Sequence, residues 1–168
     1  MRSRSVTIWV VLAALGLPAL AAAQQAGTPP VRKIPGITAD DPYPQACVSC
    51  HVVQPDGKDV RLSTMLKQWT ESVDSSLLTV AQSVAKAGVT LDGKHPRSAT
   101  ATDVPSSCMR CHRPNALSAP PFGPLMHAIH FTGGDKNPFV THYQGDCANC
   151  HKLDRTTWTW SIPSANEQ

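Results

Sequence analysis

All six cysteines of this 168-residue chain fall into three copies of one five-residue pattern: Cys47-Val-Ser-Cys50-His51, Cys108-Met-Arg-Cys111-His112 and Cys147-Ala-Asn-Cys150-His151. Redox-active Cys-x-x-Cys pairs do not require a histidine after each second cysteine. A structural zinc site joins two half-sites into four ligands, and three half-sites do not divide that way. A disulfide scaffold has no need of the repeated spacing. The pattern is instead the attachment signature of a c-type haem. Two intervening residues let both sulfurs reach the vinyl groups on one porphyrin edge, and the following histidine lies under the ring as an axial iron ligand. Three covalently attached haems c are expected, with Cys47, Cys50, Cys108, Cys111, Cys147 and Cys150 as thioether sulfurs and His51, His112 and His151 as proximal ligands.

That expectation resolves a difficulty in the composition. With 41% hydrophobic and only 5% aromatic residues, side chains alone promise a thin core, whereas three flat apolar porphyrins add buried surface. The expected fold is mainly α with much irregular loop, organised around the haems in one domain over residues 47–168. Without haem the chain is not expected to fold.

Ahead of that domain, Arg2 and Arg4 precede an apolar run from Val6 to Leu17. Pro18 ends the run, and Ala21-Ala22-Ala23 offers a signal peptidase its small residues. Residues 1–23 read as a cleaved signal peptide, because about a dozen apolar residues fall short of the ~20 that span a bilayer. Residues 24–46, rich in proline, read as an extended arm or plain linker. The mature protein is expected in the periplasm or outside the cell, with no transmembrane segment. The formal charge of +3 drops to +1 without Arg2 and Arg4, and there is no basic stripe, so no nucleic-acid partner is expected.

Leu66, Trp69, Val73, Leu77, Val80 and Val84 recur at steps of three and four, predicting one amphipathic helix from Ser63 to Ala87 that stops at Gly88. Residues 90–107 read as a loop. A short helix is expected from Pro124 to Phe131, with proline in its first turn and Gly133-Gly134 beyond its end. The tail with Trp158 and Trp160 reads as a short strand or an extended strap whose indoles cover a haem edge.

Four of the seven histidines lie outside the motifs: His95, His127, His130 and His142. Three irons need three distal ligands. His127 and His130 share one face of the short helix, three residues apart. Axial ligands sit on opposite sides of a porphyrin, so such a pair suits two different irons better than one. His95 is the leading candidate for the third iron and His142 ranks after it. Met65 and Met126 read as packing residues, and Met109 is badly placed inside a motif.

With these residues in view, the chain resembles the small multihaem class III cytochromes c and the related cores of multihaem respiratory cytochromes. In many of those proteins a His-x-x-His pair ahead of a Cys-x-x-Cys-His supplies sixth ligands to two haems. That pattern maps onto His127 and His130 ahead of Cys147-Ala-Asn-Cys150-His151, and the likeness is best over the last 75 or so residues. The motifs and the resemblance together imply an exported electron-transfer protein rather than an enzyme. Its closely packed bis-histidine haems would relay electrons between a quinol-oxidising membrane cytochrome and a terminal reductase or extracellular acceptor. A monomer is expected. The alternatives are an electron-entry subunit of a periplasmic reductase, a unit of a haem filament, or a small-molecule haem reductase with one open iron. Against the last, every motif keeps its histidine and the free histidines outnumber the irons.

Overall fold

The computed structural model describes residues 31–96 and 101–167. The chain divides into two compact units, Met1–Val31 and Arg32–Gln168. The signal-peptide reading and the first part of the arm lie outside the described residues. Every helix and strand named here belongs to the second unit.

Among the described residues there are six α-helices and one two-stranded sheet, joined by much irregular chain. Helix α1 (Cys47–Cys50) and helix α4 (Ser106–Met109) are single turns that carry cysteines of the first two motifs. Cys147–Asn149 of the third motif forms a 3₁₀ turn, capped by the Asp146 carboxylate, which accepts from Ala148 N–H at 2.9 Å.

The long helix expected over 63–87 is instead two: α2 (Leu62–Trp69) and α3 (Ser75–Ser83). The apolar steps run through the break, but hydrogen bonding does not. Val73 N–H donates to the Gly93 carbonyl at 2.8 Å, outside any helix. Asp74 then starts a new helix by accepting from Ser76 N–H at 2.8 Å and Leu77 N–H at 3.3 Å, as an N-cap does. Helix α3 also ends before Gly88. The Gln82 side chain accepts from Leu91 N–H and donates to the Val89 carbonyl, folding the following loop back on the helix.

Helix α5 (Phe122–Phe131) forms where proline and the two glycines predicted it, and its one buried side chain is Leu125. It packs against α3 and against α6 (Pro138–Tyr143). Asn137 makes the second junction. Its side chain caps α6 by accepting from Phe139 N–H at 2.9 Å and donates to the Ile129 and Thr132 carbonyls at 2.8 and 3.0 Å. Gly145, at φ +58°, takes the left-handed backbone conformation that carries the chain out of α6 beside the Phe131 ring.

The tail is a strand hairpin, β1 (Lys152–Asp154) paired antiparallel with β2 (Thr159–Ser161), Leu153 opposite Trp160. Trp160 lies on β2, as the strand reading expected, and Trp158 and Trp160 are 73% and 54% exposed. Beyond the hairpin, Ala165 exchanges backbone hydrogen bonds with Val104 at 2.8 and 2.9 Å, and Asn166 and Ser164 accept from the backbone of Asp103 and Ser106.

The core is built of small residues. Val48, Ala101 and Val104 form its centre, with Cys47, Cys108, Leu62, Leu66 and Ala165 packed on it. Cysteines of the first and second motifs thus share one cluster. The described part of the arm docks as well. Lys152 Nζ lies 2.9 Å from the Asp41 carboxylate, and Tyr43 meets Tyr143 edge to face at 5.5 Å. No helix among the described residues is long and apolar enough to cross a membrane.

Candidate haem centres

Each motif histidine faces one histidine from outside the motifs. The His51 ring lies 6.3 Å, centre to centre, from His130. His112 lies 6.1 Å from His95. His151 lies 6.1 Å from His127. The fourth outside histidine, His142, stands exposed on α6 and has no ring contact among the described residues.

These separations can be tested against the geometry of an iron held between two imidazoles. A metal–nitrogen bond of about 2.0 Å, extended by about 1.15 Å to the ring centre on each side, puts the two centres about 6.3 Å apart. Direct stacking would bring the rings closer, and unrelated surface histidines would not repeat one distance three times. The residues fit. Each pair supplies two nitrogens and no more, and among the described residues no group of three His, Cys, Asp or Glu side chains gathers as a bare-metal site.

Helix α5 explains two of the three pairs. His127 and His130 lie three residues apart, one turned toward each motif histidine, so this helix links the first and third sites. The second pair has a different origin. Helix α3 and the loop it anchors bring His95 back to α2, where His95 N–H donates to the Trp69 carbonyl at 2.8 Å, and the His95 and His112 planes lie within 21° of each other.

The backbone also orients several rings. Nδ1 of His51 is 2.9 Å from the Val60 carbonyl, Nδ1 of His130 2.8 Å from that of Met126, and Nδ1 of His112 2.7 Å from that of Pro120. His95 Nδ1 makes a longer contact, 3.1 Å, with the Pro96 carbonyl. A carbonyl acceptor demands the Nδ1–H tautomer, which leaves Nε2 free to bind metal. The rings of His127 and His151 have no hydrogen bond among the described residues. His127 instead touches Phe131 edge to face at 6.2 Å, and His130 adds an edge-to-face contact with Phe139 at 5.2 Å.

No disulfide joins any of the six cysteines. Burial, before the charge of neighbouring thiols, pushes the Cys47 thiol up to about 12 and the Cys50 thiol up to about 11, and burial likewise raises Cys108 and Cys150. These thiols stay protonated at neutral pH, which makes them poor partners for disulfide exchange. Burial also lowers the basicity of His51 and His95 toward protons, keeping both imidazoles neutral, the form that binds metal.

The pairing of particular histidines was beyond sequence reasoning, because it depends on where α5 and the 84–95 loop pack. The three carbonyl acceptors were equally invisible, since Val60 and Pro120 carry no side-chain signal. No family model, curated protein or solved structure matches the chain.

Proposed function

We propose that this chain is an exported triheme c-type cytochrome that transfers electrons between respiratory redox partners, with three bis-histidine haems. The observation that carries the reading is the threefold recurrence of a motif histidine facing an outside histidine at 6.1–6.3 Å. When bound, each haem supplies a one-electron ferric–ferrous couple.

The chain's own residues then have defined tasks. Cys47 and Cys50, Cys108 and Cys111, and Cys147 and Cys150 would anchor the three porphyrins. His51 with His130, His112 with His95, and His151 with His127 would hold the three irons, each pair offering one imidazole from a motif and one from outside it. His142 is left over, in keeping with its exposure. The carbonyls of Val60, Met126 and Pro120 hold His51, His130 and His112 in one orientation and strengthen them as donors. Two imidazole donors at each site would suit a group that changes oxidation state without changing its protein ligands. The signal-peptide reading of residues 1–23 supports a mature protein in the periplasm or outside the cell, working between a quinol-oxidising membrane cytochrome and a terminal reductase or extracellular acceptor.

The test is a haem count. Produced in a host that matures c-type cytochromes, the protein should show the intact mass of three covalent haems and a pyridine haemochrome of the same stoichiometry. Replacing both cysteines of one motif should remove one haem. A protein purified without covalent haem from such a host would refute the reading.

A further inference from the structure

The second site differs from the other two in the charge around it. Arg110 lies between its two cysteines and Arg113 directly follows His112, and both side chains are exposed, as is Cys111. The ion pairs among the described residues are Arg61 with Asp59 and Lys152 with Asp41, and neither arginine takes part. Arg110 Nε makes a single long contact, 3.4 Å, with the Ser107 carbonyl. Between Asp103 and Asp135 the sequence has no acidic residue. Met109 and Leu117, 45% and 80% exposed, give the same stretch an apolar surface. Lys94, next to His95, is also exposed. The carboxylates on the flanks are Asp92, which accepts from Lys94 N–H at 3.3 Å, and Asp103, ahead of the motif.

The other sites lack this combination. At the first, Cys47, Cys50, His51 and His130 are all shielded from full exposure, and the nearby Arg61 is bound to Asp59. At the third, Cys147 and His127 are exposed, but Asp146 adjoins the motif and Lys152 is neutralised by Asp41. Haem propionates would bring the oxidised protein as a whole to about −2, so an anion is not drawn to the molecule at large but only to a local positive field.

We propose that the second site is the port at which this protein exchanges electrons with a negatively charged redox partner, steered by Arg110 and Arg113 onto the Met109–Leu117 surface. The proposal rests on the reading that Cys108 and Cys111 carry a haem. An exposed apolar stretch carrying two arginines that form no ion pair among the described residues suits a brief, salt-sensitive encounter in which charge sets the on-rate. The step moves one electron from ferrous iron to the partner, leaving ferric iron and a partner reduced by one. No bond forms or breaks and no proton moves.

The test is stopped-flow oxidation of the fully reduced holoprotein by hexacyanoferrate(III), a small anion that becomes hexacyanoferrate(II), with a cationic ruthenium ammine as the opposite probe. In the double variant R110E/R113E the hexacyanoferrate rate at low ionic strength should fall by about five- to tenfold, and the ammine rate should rise. The gap should close as salt is added. The variant R110Q/R113Q should fall between. The double variant K136E/R155E, which changes net charge equally at exposed positions of the third region, should change the rate less than about twofold. Equal slowing in the two reversals, or none in R110E/R113E, would overturn the port. Haem content and spin state are measured first in every protein. Loss of three low-spin haems from the parent protein refutes the function beneath the proposal, whereas a fully loaded low-spin set with equal rates refutes only the port.

Discussion

Helix α5 gives one histidine to each of two sites, and the two sites treat that histidine differently. At the first, His130 and its partner His51 both face backbone carbonyls through Nδ1, at 2.8 and 2.9 Å, and none of the four candidate ligands is exposed. At the third, the rings of His127 and His151 lack such acceptors among the described residues, and His127 and Cys147 are exposed. A three-residue step along a helix is therefore enough to aim two imidazoles at two motifs. How firmly each is held is decided by the backbone behind it.

The largest effects should come from removing those imidazoles one at a time. On the proposed triheme reading, H130A and H127A are each expected to convert one haem to a high-spin ferric form, seen in the visible and EPR spectra, while H142A leaves both spectra unchanged. Added imidazole should separate the two sites. The open third site of H127A should recover its low-spin signal at about tenfold lower imidazole than the closed first site of H130A, a difference of about 1.4 kcal/mol. Equal recovery would remove the contrast between the sites.

A smaller effect should follow from L125A. Leu125 is the buried residue of α5, and truncating a core leucine costs about 2–4 kcal/mol. Denaturant unfolding should register that loss. Because α5 serves the first and third sites, their low-spin signals should broaden together while that of the second stays sharp.

The smallest effect should come from Asp74, which starts α3, the helix packed on α5. The Ser76 hydroxyl, followed by the backbone N–H groups of Ser76 and Leu77, holds its carboxyl below the usual carboxylate range. A depressed carboxylate contributes stability above its ordinary pKa and loses it as pH falls through the lowered value. D74A should thus lower Tm at pH 7 by about 2–5 °C, and the difference from the parent should shrink in acid. A gap that stayed constant down to low pH would show that the cap bond is not its source.

What could be read from sequence was local, and what could not was tertiary. The motifs and α5 are written in contiguous residues: Pro124 in the first turn, Gly133 and Gly134 beyond the end, His127 and His130 between. The break between α2 and α3 escaped because its apolar steps continue without interruption. Asp74-Ser75-Ser76 is a recognisable cap in hindsight, but Val73 leaves the helix for Gly93, about twenty residues on. The docking of the arm was equally hidden, since Asp41 meets Lys152 across 111 residues. The ranking of His95 ahead of His142 had no packing argument behind it in the sequence. Only the packing of the 84–95 loop turns one toward His112 and leaves the other in solvent.

Whether three irons each lie between the two histidines that face one another can be read from the EPR spectrum of the oxidised protein. Parallel imidazole planes split the iron dπ orbitals and give a rhombic low-spin signal, whereas perpendicular planes leave them nearly degenerate and give a highly anisotropic one. The ring planes lie 85° apart at the first site, 21° at the second and 48° at the third. The expected spectrum has three low-spin components: one highly anisotropic, one rhombic and one intermediate, with no high-spin ferric iron. A high-spin component in the parent protein, or three rhombic signals of one kind, would contradict the pairing.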